Sequence, residues 1–208
     1  MSEIRLTKNF TEELGRLKIE KYWDSYVPGF ERHERPDWVN LQASIGIEVT
    51  RAMHAQEGEV INLLSRYAGK PEDQLPSALQ NKFDGQLHYS DNEKLYAAST
   101  TKGLCDSSFF LNKLISTINE KTEKLQTYKN LNTNVLYVFY SYIFRKQDIE
   151  NLTKRIFAER NCQSRYFNTI VVDDNESLFF FDLDTRTYKK VDVFDNADSI
   201  KAVEDKIR

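Results

Sequence analysis

The sequence has 208 residues, of which 40% are hydrophobic and 29% are charged, and its net charge at pH 7 is -3. This length suits one domain, or one domain with an insertion, and the composition excludes collagen-like, linker-rich and low-complexity chains. No apolar run approaches the ~20 residues that a membrane helix needs, and the N-terminal segment lacks the apolar core of a signal peptide. We therefore expect a cytoplasmic protein without a membrane partner.

Helices and short strands alternate along the first half of the chain. Thr11 is a suitable N-cap, and the pattern predicts a first helix over residues 11–26. Residues 30–52 indicate short strands, the last of them with β-branched side chains at alternating positions. A helix over 52–67 follows. Residues 70–105, which mix turn residues with short apolar fragments, are predicted to be an insertion.

The second half contains the clearest helix and the most apolar strand. The helix is predicted over 107–128, where apolar side chains at 3-4 spacing form one seam that only Lys121 interrupts with charge. The apolar run 135–140 is typical of a central strand. The remaining predicted elements are a helix at 147–160, strands at 167–173, 178–181 and 188–194, and a last helix at 197–207. The fold class expected for residues 1–208 is therefore α/β (α+β), a single domain with a central mixed β-sheet flanked by helices.

Two carboxylates fall on neighbouring predicted strands. Asp37 follows Arg35-Pro36 at the start of one strand, and Glu48 alternates with Ile47 and Val49 on the next. Paired antiparallel strands bring such side chains close to each other. Two carboxylates that share a site repel each other unless a cation lies between them. Mg²⁺, with Mn²⁺ as a substitute, suits these hard oxygen ligands.

The segments Pro36-Asp37 and Glu48-Val49-Thr50 resemble the motif of the PD-(D/E)XK nuclease superfamily, which has a restriction-endonuclease-like core. The order of elements is similar too: a helix, a hairpin that carries the motif, a long helix and an apolar strand. The resemblance implies a metal-dependent phosphodiesterase acting on DNA, in which Mg²⁺-activated water attacks a phosphodiester. It implies Asp37 and Glu48 as catalytic residues and metal ligands. A third acidic ligand is expected from the first helix, where Glu13 and Glu20 are both candidates.

One position departs from the family pattern, because Thr50 stands where the motif lysine is expected. Lys121 is the candidate replacement, since an ammonium in an apolar seam is costly to bury unless it is paired. Lys124 and Arg51 are weaker substitutes. If the helix after the motif covers the Glu48 face, the Lys121 nitrogen should lie within about 6 Å of an oxygen of either motif carboxylate.

Basic residues are concentrated in the middle of the chain. Residues 102–165 carry more basic than acidic side chains, whereas both flanking regions are acidic. Four of these residues are candidates for contacts with a nucleic-acid backbone: Arg145, Lys146, Lys154 and Arg155. The predicted partner is DNA, with RNA as a second option, and the sequence is compatible with a homodimer. The competing hypothesis, favoured by Thr50 and the negative net charge, is a catalytically inactive nuclease-fold protein that binds a nucleic acid or a protein.

Overall fold

The chain folds into two compact units. The computed structural model describes residues 8–53, 55–90, 92–98, 107–140, 142–159, 164–193 and 201. The core unit consists of the described residues of 8–52 and 107–208, and the inserted unit consists of those of 53–106. The predicted insertion over 70–105 is therefore the later part of a unit that already begins at Met53.

The described elements agree closely with the sequence pattern. In chain order they are α1 (Lys8–Tyr22), β1 (Glu31–Arg32), β2 (Trp38–Asn40), β3 (Ile45–Ala52), α2 (Ala55–Tyr67), α3 (Ser77–Lys82), β4 (Leu87–Tyr89), β5 (Leu95–Ala98), α4 (Ser107–Leu125), β6 (Thr133–Tyr140), α5 (Lys146–Glu159), β7 (Thr169–Asp173), β8 (Ser177–Asp182) and β9 (Thr187–Asp192). A short 3₁₀ turn at Glu72–Gln74 separates α2 from α3. The predicted last helix over 197–207 lies, apart from Lys201, outside the described residues.

The core unit is organised around one seven-stranded sheet with the order β1-β2-β3-β6-β7-β8-β9. Strands β3, β6 and β7 run parallel to one another, and the outer strands are antiparallel to their neighbours. This mixed sheet flanked by helices confirms the predicted fold class. The apolar run at 135–140 is indeed a central strand, because β6 pairs on both sides and its residues Val135–Val138 are buried.

Helices cover both faces of the sheet. Helix α1 packs on the face that includes Ile47, Val49 and Tyr137, and a glycine permits a close approach there. A Cβ atom at Gly15 would lie 2.9 Å from Val49 Cγ1, closer than real Cβ contacts. Helices α4 and α5 pack on the opposite face, over a second apolar cluster. Since successive side chains of a strand point to opposite faces, Glu48 belongs to the α4 face.

The first helix ends earlier than its apolar pattern predicts. We expected it to reach residue 26, but α1 stops at Tyr22, and the amide of Tyr26 closes a turn on the carbonyl of Trp23 at 3.0 Å. Proline disfavours helical backbone at the preceding residue, so Pro28 excludes a helix beyond residue 26 but does not by itself set the end at Tyr22. Trp23 and Tyr26 still pack against the α1-side apolar cluster, which explains why their pattern resembled a helix face.

The inserted unit has a small apolar core of its own. Helices α2 and α3 and the antiparallel hairpin β4–β5 surround five buried side chains: Val60, Leu63, Leu75, Phe83 and Leu95. The carbonyl of Leu95 accepts a hydrogen bond from the amide of Gly69 at 2.8 Å, and Gly69 has a positive φ of 82° that suits glycine. The chain therefore leaves the sheet after β3, builds this unit and returns to the sheet through α4.

A buried ion pair connects α1 to the centre of the sheet. Lys18 is 2% exposed and Asp173 is 0% exposed, and Lys18 Nζ lies 2.6 Å from Asp173 Oδ2. The same oxygen accepts a hydrogen bond from the hydroxyl of Tyr137 at 2.6 Å, while Oδ1 accepts from the amide of Asn175 at 2.9 Å. Burial, followed by the charge of Asp173, raises the pKa of Tyr137 well above its ordinary value. Both oxygens of the buried carboxylate are thus satisfied.

No described helix combines the length and the apolar composition that crossing a bilayer requires.

We predict that Lys18→Met lowers the free energy of unfolding by about 3–5 kcal/mol, because it leaves the carboxylate of Asp173 buried without its cation. Lys189→Met is the matched control, since Lys189 pairs with Asp24 at 2.7 Å on the exposed surface. An exposed pair contributes only about 0–1 kcal/mol. Urea denaturation at pH 7 measures both changes, and equal losses in the two variants would contradict the structural role of the buried pair.

Candidate active site

Strand β3 and the segment before β2 bring the two motif carboxylates together. The β2–β3 register pairs Trp38 with Ile47, so the residues next to them, Asp37 and Glu48, lie side by side at the start of the hairpin. Asp37 is buried, and its Oδ2 accepts a hydrogen bond from the amide of Val49 at 2.8 Å. The side chain of Asp37 is therefore fixed against β3.

A glycine allows the Pro36-Asp37 segment to lie flat on β3. Gly46 and Glu48 share the α4 face of this strand, because they are two residues apart. A Cβ atom at Gly46 would lie 2.7 Å from Pro36 Cγ and 2.7 Å from Leu131 Cδ1. Any larger residue would displace Pro36, and Asp37 would move with it.

The two oxygens of Glu48 have different surroundings. The residue is 4% exposed. Its Oε1 accepts hydrogen bonds from Lys121 Nζ at 2.5 Å and from the hydroxyl of Tyr128 at 3.1 Å. Its Oε2 is buried and has no hydrogen-bond partner among the described residues. A buried acceptor without a partner is unfavourable in the free protein and is commonly explained by a ligand, an ion or a water.

The geometric prediction for Lys121 is confirmed. Helix α4 lies on the Glu48 face of β3, and the ammonium that interrupts its apolar seam reaches the Glu48 carboxylate directly. The side chain of Lys121 is about one-fifth exposed and lines a cavity. The break in the seam thus corresponds to an ion pair across the interface between helix and sheet.

A cavity of about 260 Å³ opens beside the two carboxylates. Among the described residues its charged lining is balanced, with three carboxylates and three cations. The lining residues are Glu34, Arg35, Asp37, Glu48, Val49, Lys121, Lys124, Thr127 and Tyr128. All of them belong to the core unit. Lys124, a weaker candidate for the missing motif lysine, is at this cavity, whereas Arg51 donates to Thr11 of α1 on the opposite face of the sheet.

Tyr128 is a site residue that the sequence pattern did not reveal. It follows the last turn of α4, and its apolar ring continues the seam that the sequence indicates. Burial, and then the charge of Glu48 and the hydrogen bond to it, raise the pKa of Tyr128 above its ordinary range. The hydroxyl therefore stays protonated near neutral pH and acts as a donor to Glu48.

The structure does not bring the candidate ligands of the first helix to this cavity. Glu13 and Glu20 both pair with Arg16, at 2.8 and 2.7 Å, and neither lines the cavity. Glu12, which is less exposed than either of them, is buried and pairs with Arg32 at 2.6 Å. Because α1 covers the face opposite Glu48, its side chains are separated from Glu48 by the sheet.

The predicted nucleic-acid contacts lie on another side of α4. Arg145 precedes α5, and Lys146, Lys154 and Arg155 lie on that helix, and none of the four lines the cavity. Arg155 Nη1 donates to Asn112 of α4 at 2.8 Å. Asn112 precedes Lys121 by nine residues, which is about two and a half helical turns, so the two side chains leave α4 in opposite directions.

The oxygen atoms at the cavity could hold a hard divalent cation. The described residues contain no group of three or more His, Cys, Asp or Glu side chains arranged around a common point. A site for Mg²⁺ does not require one, because this ion keeps several waters and commonly binds through one or two carboxylates. Asp37 and the unpartnered Oε2 of Glu48 fit such a site.

A larger cavity of about 420 Å³ lies on the α1 side of the sheet and lacks this chemistry. Its carboxylates are engaged by neighbouring groups. Asp182 accepts hydrogen bonds from the amides of Asp184 and Thr185, and Asp184 accepts them from Tyr166 and Asn168. The smaller cavity is the better candidate because Glu48, which carries the buried acceptor without a partner among the described residues, lines it.

We predict that Lys121→Met lowers the free energy of unfolding by about 1–3 kcal/mol at pH 7, because Glu48 then keeps, among the described residues, only the Tyr128 hydroxyl as a donor. Lys124→Met is the matched control on the same helix, since the exposed Lys124 makes no ion pair among the described residues. Its expected change is smaller than about 0.5 kcal/mol. Urea titrations of both variants test the comparison, and an unchanged Lys121 variant would contradict the importance of the ion pair.

Comparisons with protein-family models, with curated proteins and with solved structures found no match. The chemical arrangement of the cavity is therefore the basis for any functional conclusion.

Proposed function

We propose that this protein is a metal-dependent phosphodiesterase of the PD-(D/E)XK type that acts on DNA. The single observation that carries the proposal is the buried Oε2 of Glu48, which has no partner among the described residues and belongs to a side chain that lines one cavity with Asp37 and Lys121. A cation would give this oxygen the partner it lacks, and two carboxylates beside a cationic side chain are the groups that metal-assisted hydrolysis needs.

The proposed metal ligands are Asp37 and Glu48, with water completing the coordination of Mg²⁺ or Mn²⁺. A bound Mg²⁺ would supply activation of the attacking water and compensation of the charge that develops on the phosphodiester. Hydrogen bonds within the protein hold both proposed ligands in place. The amide of Val49 fixes Asp37, while Lys121 and Tyr128 fix Glu48.

Lys121 takes the place of the motif lysine in this proposal. An ammonium has three donors, and among the described residues one of them is used, on Oε1 of Glu48. Lys121 lines the cavity, so its remaining donors are available to bind a phosphate oxygen or to orient the attacking water. Thr50 cannot supply this charge. The lysine would thus act from α4 and not from the motif strand.

The cations at the rim of the cavity suit a phosphodiester. Arg35 and Lys124 are exposed and line the same cavity as the carboxylates. They can contact the phosphates on either side of the scissile bond, because phosphate binding depends on positive charge and not on base identity. DNA is the proposed polymer and RNA is the second option. Arg145, Lys146, Lys154 and Arg155 would bind more distant phosphates, around the other side of α4.

A second candidate function has one observation in its favour. The ion pair with Lys121 already neutralises Glu48 without a metal. A nuclease fold that has lost its metal could keep this pair for stability alone. Under this hypothesis the protein binds a nucleic acid or a protein partner and does not hydrolyse it.

We predict that Mg²⁺ and Mn²⁺ bind the wild-type protein in calorimetric titrations, and that Asp37→Ala and Glu48→Gln abolish the binding because each removes a ligand. Glu20→Gln is the matched control, since this carboxylate pairs with Arg16 outside the cavity. The same four proteins are then incubated with double-stranded and single-stranded DNA and with RNA. Cleavage should require the metal and disappear in the two ligand variants.

The outcomes separate the two candidate functions. Metal binding with cleavage supports the phosphodiesterase. The absence of metal binding by the wild-type protein would contradict it. Retention of nucleic-acid binding in that case would support the inactive alternative.

A further inference from the structure

The hydroxyl of Tyr128 is held at Glu48 by groups outside the cavity. The backbone amide of Tyr128 donates to the carbonyl of Leu125 at 3.1 Å, in a turn that directly follows α4. Its own carbonyl accepts from Arg165 Nη1 at 3.1 Å, and the neighbouring carbonyl of Lys129 accepts from Arg165 Nη2 at 3.0 Å. The ring is buried in the α4-side apolar cluster. Both the backbone and the ring of Tyr128 are therefore restrained.

Two donors converge on one oxygen of Glu48 and leave the other oxygen without a partner. Lys121 Nζ and the Tyr128 hydroxyl both donate a hydrogen bond to Oε1. Lys121 lies in the last turns of α4, and Tyr128 lies three residues beyond the end of this helix. A single donor would permit the carboxylate to rotate about its Cγ–Cδ bond. Two donors, one from α4 and one from the segment after it, restrain this rotation, and the orientation of the carboxylate determines where Oε2 lies.

We infer that Tyr128 is a positioning residue, which with Lys121 holds Oε1 of Glu48 so that Oε2 alone is presented to the cation. This inference rests on the proposed function. It concerns the selectivity of the site between Mg²⁺ and Ca²⁺, which the identity of the proposed ligands does not determine. A carboxylate that offers one fixed oxygen suits Mg²⁺, which demands near-ideal octahedral geometry. Ca²⁺ accepts flexible and bidentate carboxylates, so it gains less from the restraint.

The effect of removing the hydroxyl should therefore depend on the ion. Groups that orient a metal ligand through hydrogen bonds typically change affinity by about 10–100-fold when they are removed. We expect Tyr128→Phe to weaken Mg²⁺ binding by about 10-fold and Ca²⁺ binding by clearly less. The preference for Mg²⁺ over Ca²⁺ should decrease accordingly. A purely structural role for the hydroxyl would weaken both ions equally.

The test is a set of calorimetric titrations of the full chain with Mg²⁺ alone and with Ca²⁺ alone, in the absence of nucleic acid. Tyr166→Phe is the matched control, because the Tyr166 hydroxyl also donates to a carboxylate, Asp184 Oδ1 at 2.7 Å, outside the active-site cavity. It should leave both affinities unchanged. Urea denaturation without metal establishes that Tyr128→Phe is folded under the titration conditions.

Two results would overturn the inference while the proposed function stands. One is wild-type Mg²⁺ affinity in Tyr128→Phe. The other is an equal loss of Mg²⁺ and Ca²⁺ affinity in that variant. If the variant does not fold, the same ion comparison is made with Lys121→Met, which removes the other donor to Oε1 and should reduce the Mg²⁺ preference in the same direction. A wild-type protein that binds neither ion would overturn the proposed function, and the inference with it.

Discussion

Strand β3 is covered on both faces, and this constraint determines which polar side chains the centre of the molecule can contain. Ile47 and Val49 meet α1 on one face, so Glu48 must meet α4 on the other. A carboxylate in such a place requires donors, because burying a charge without partners is strongly unfavourable. Lys121, in the apolar seam of α4, and the hydroxyl of Tyr128, beyond the end of this helix, supply the donors. The position of α4 on the sheet and the chemistry of Glu48 therefore depend on each other.

The parts of the site that the sequence could predict are those that follow from local periodicity. Asp37 and Glu48 belong to one hairpin, where strand alternation and a short connection leave little freedom. Lys121 was identifiable because it is the one charge in an apolar helical seam, and such a charge needs a partner. The sheet and its helices were predictable for the same reason, since their apolar patterns have clear periods of two and 3.6 residues.

The remaining features depend on contacts between distant parts of the chain. Tyr128 carries an apolar ring and a polar hydroxyl, and a sequence pattern registers the ring alone. Lys18 resembles a surface charge until Asp173, 155 positions later, is placed beside it. The choice among the acidic residues of α1 depends on the rotation of this helix and on the face it covers. Neither quantity can be obtained from the spacing of Glu13 and Glu20.

The two edges of the described sheet differ from its centre in a way that affects how copies of the chain can meet. At one edge β1 has only two residues, and at the other β9 is largely exposed and carries consecutive lysines, Lys189 and Lys190. Very short edge strands and edge lysines disfavour strand addition, because an approaching chain finds few backbone groups or a repelling charge. Extension of this sheet from molecule to molecule, the first step of edge-to-edge aggregation, is thus discouraged at both ends. Association of a second copy by strand addition at these two edges is therefore less favourable than association through a surface away from them.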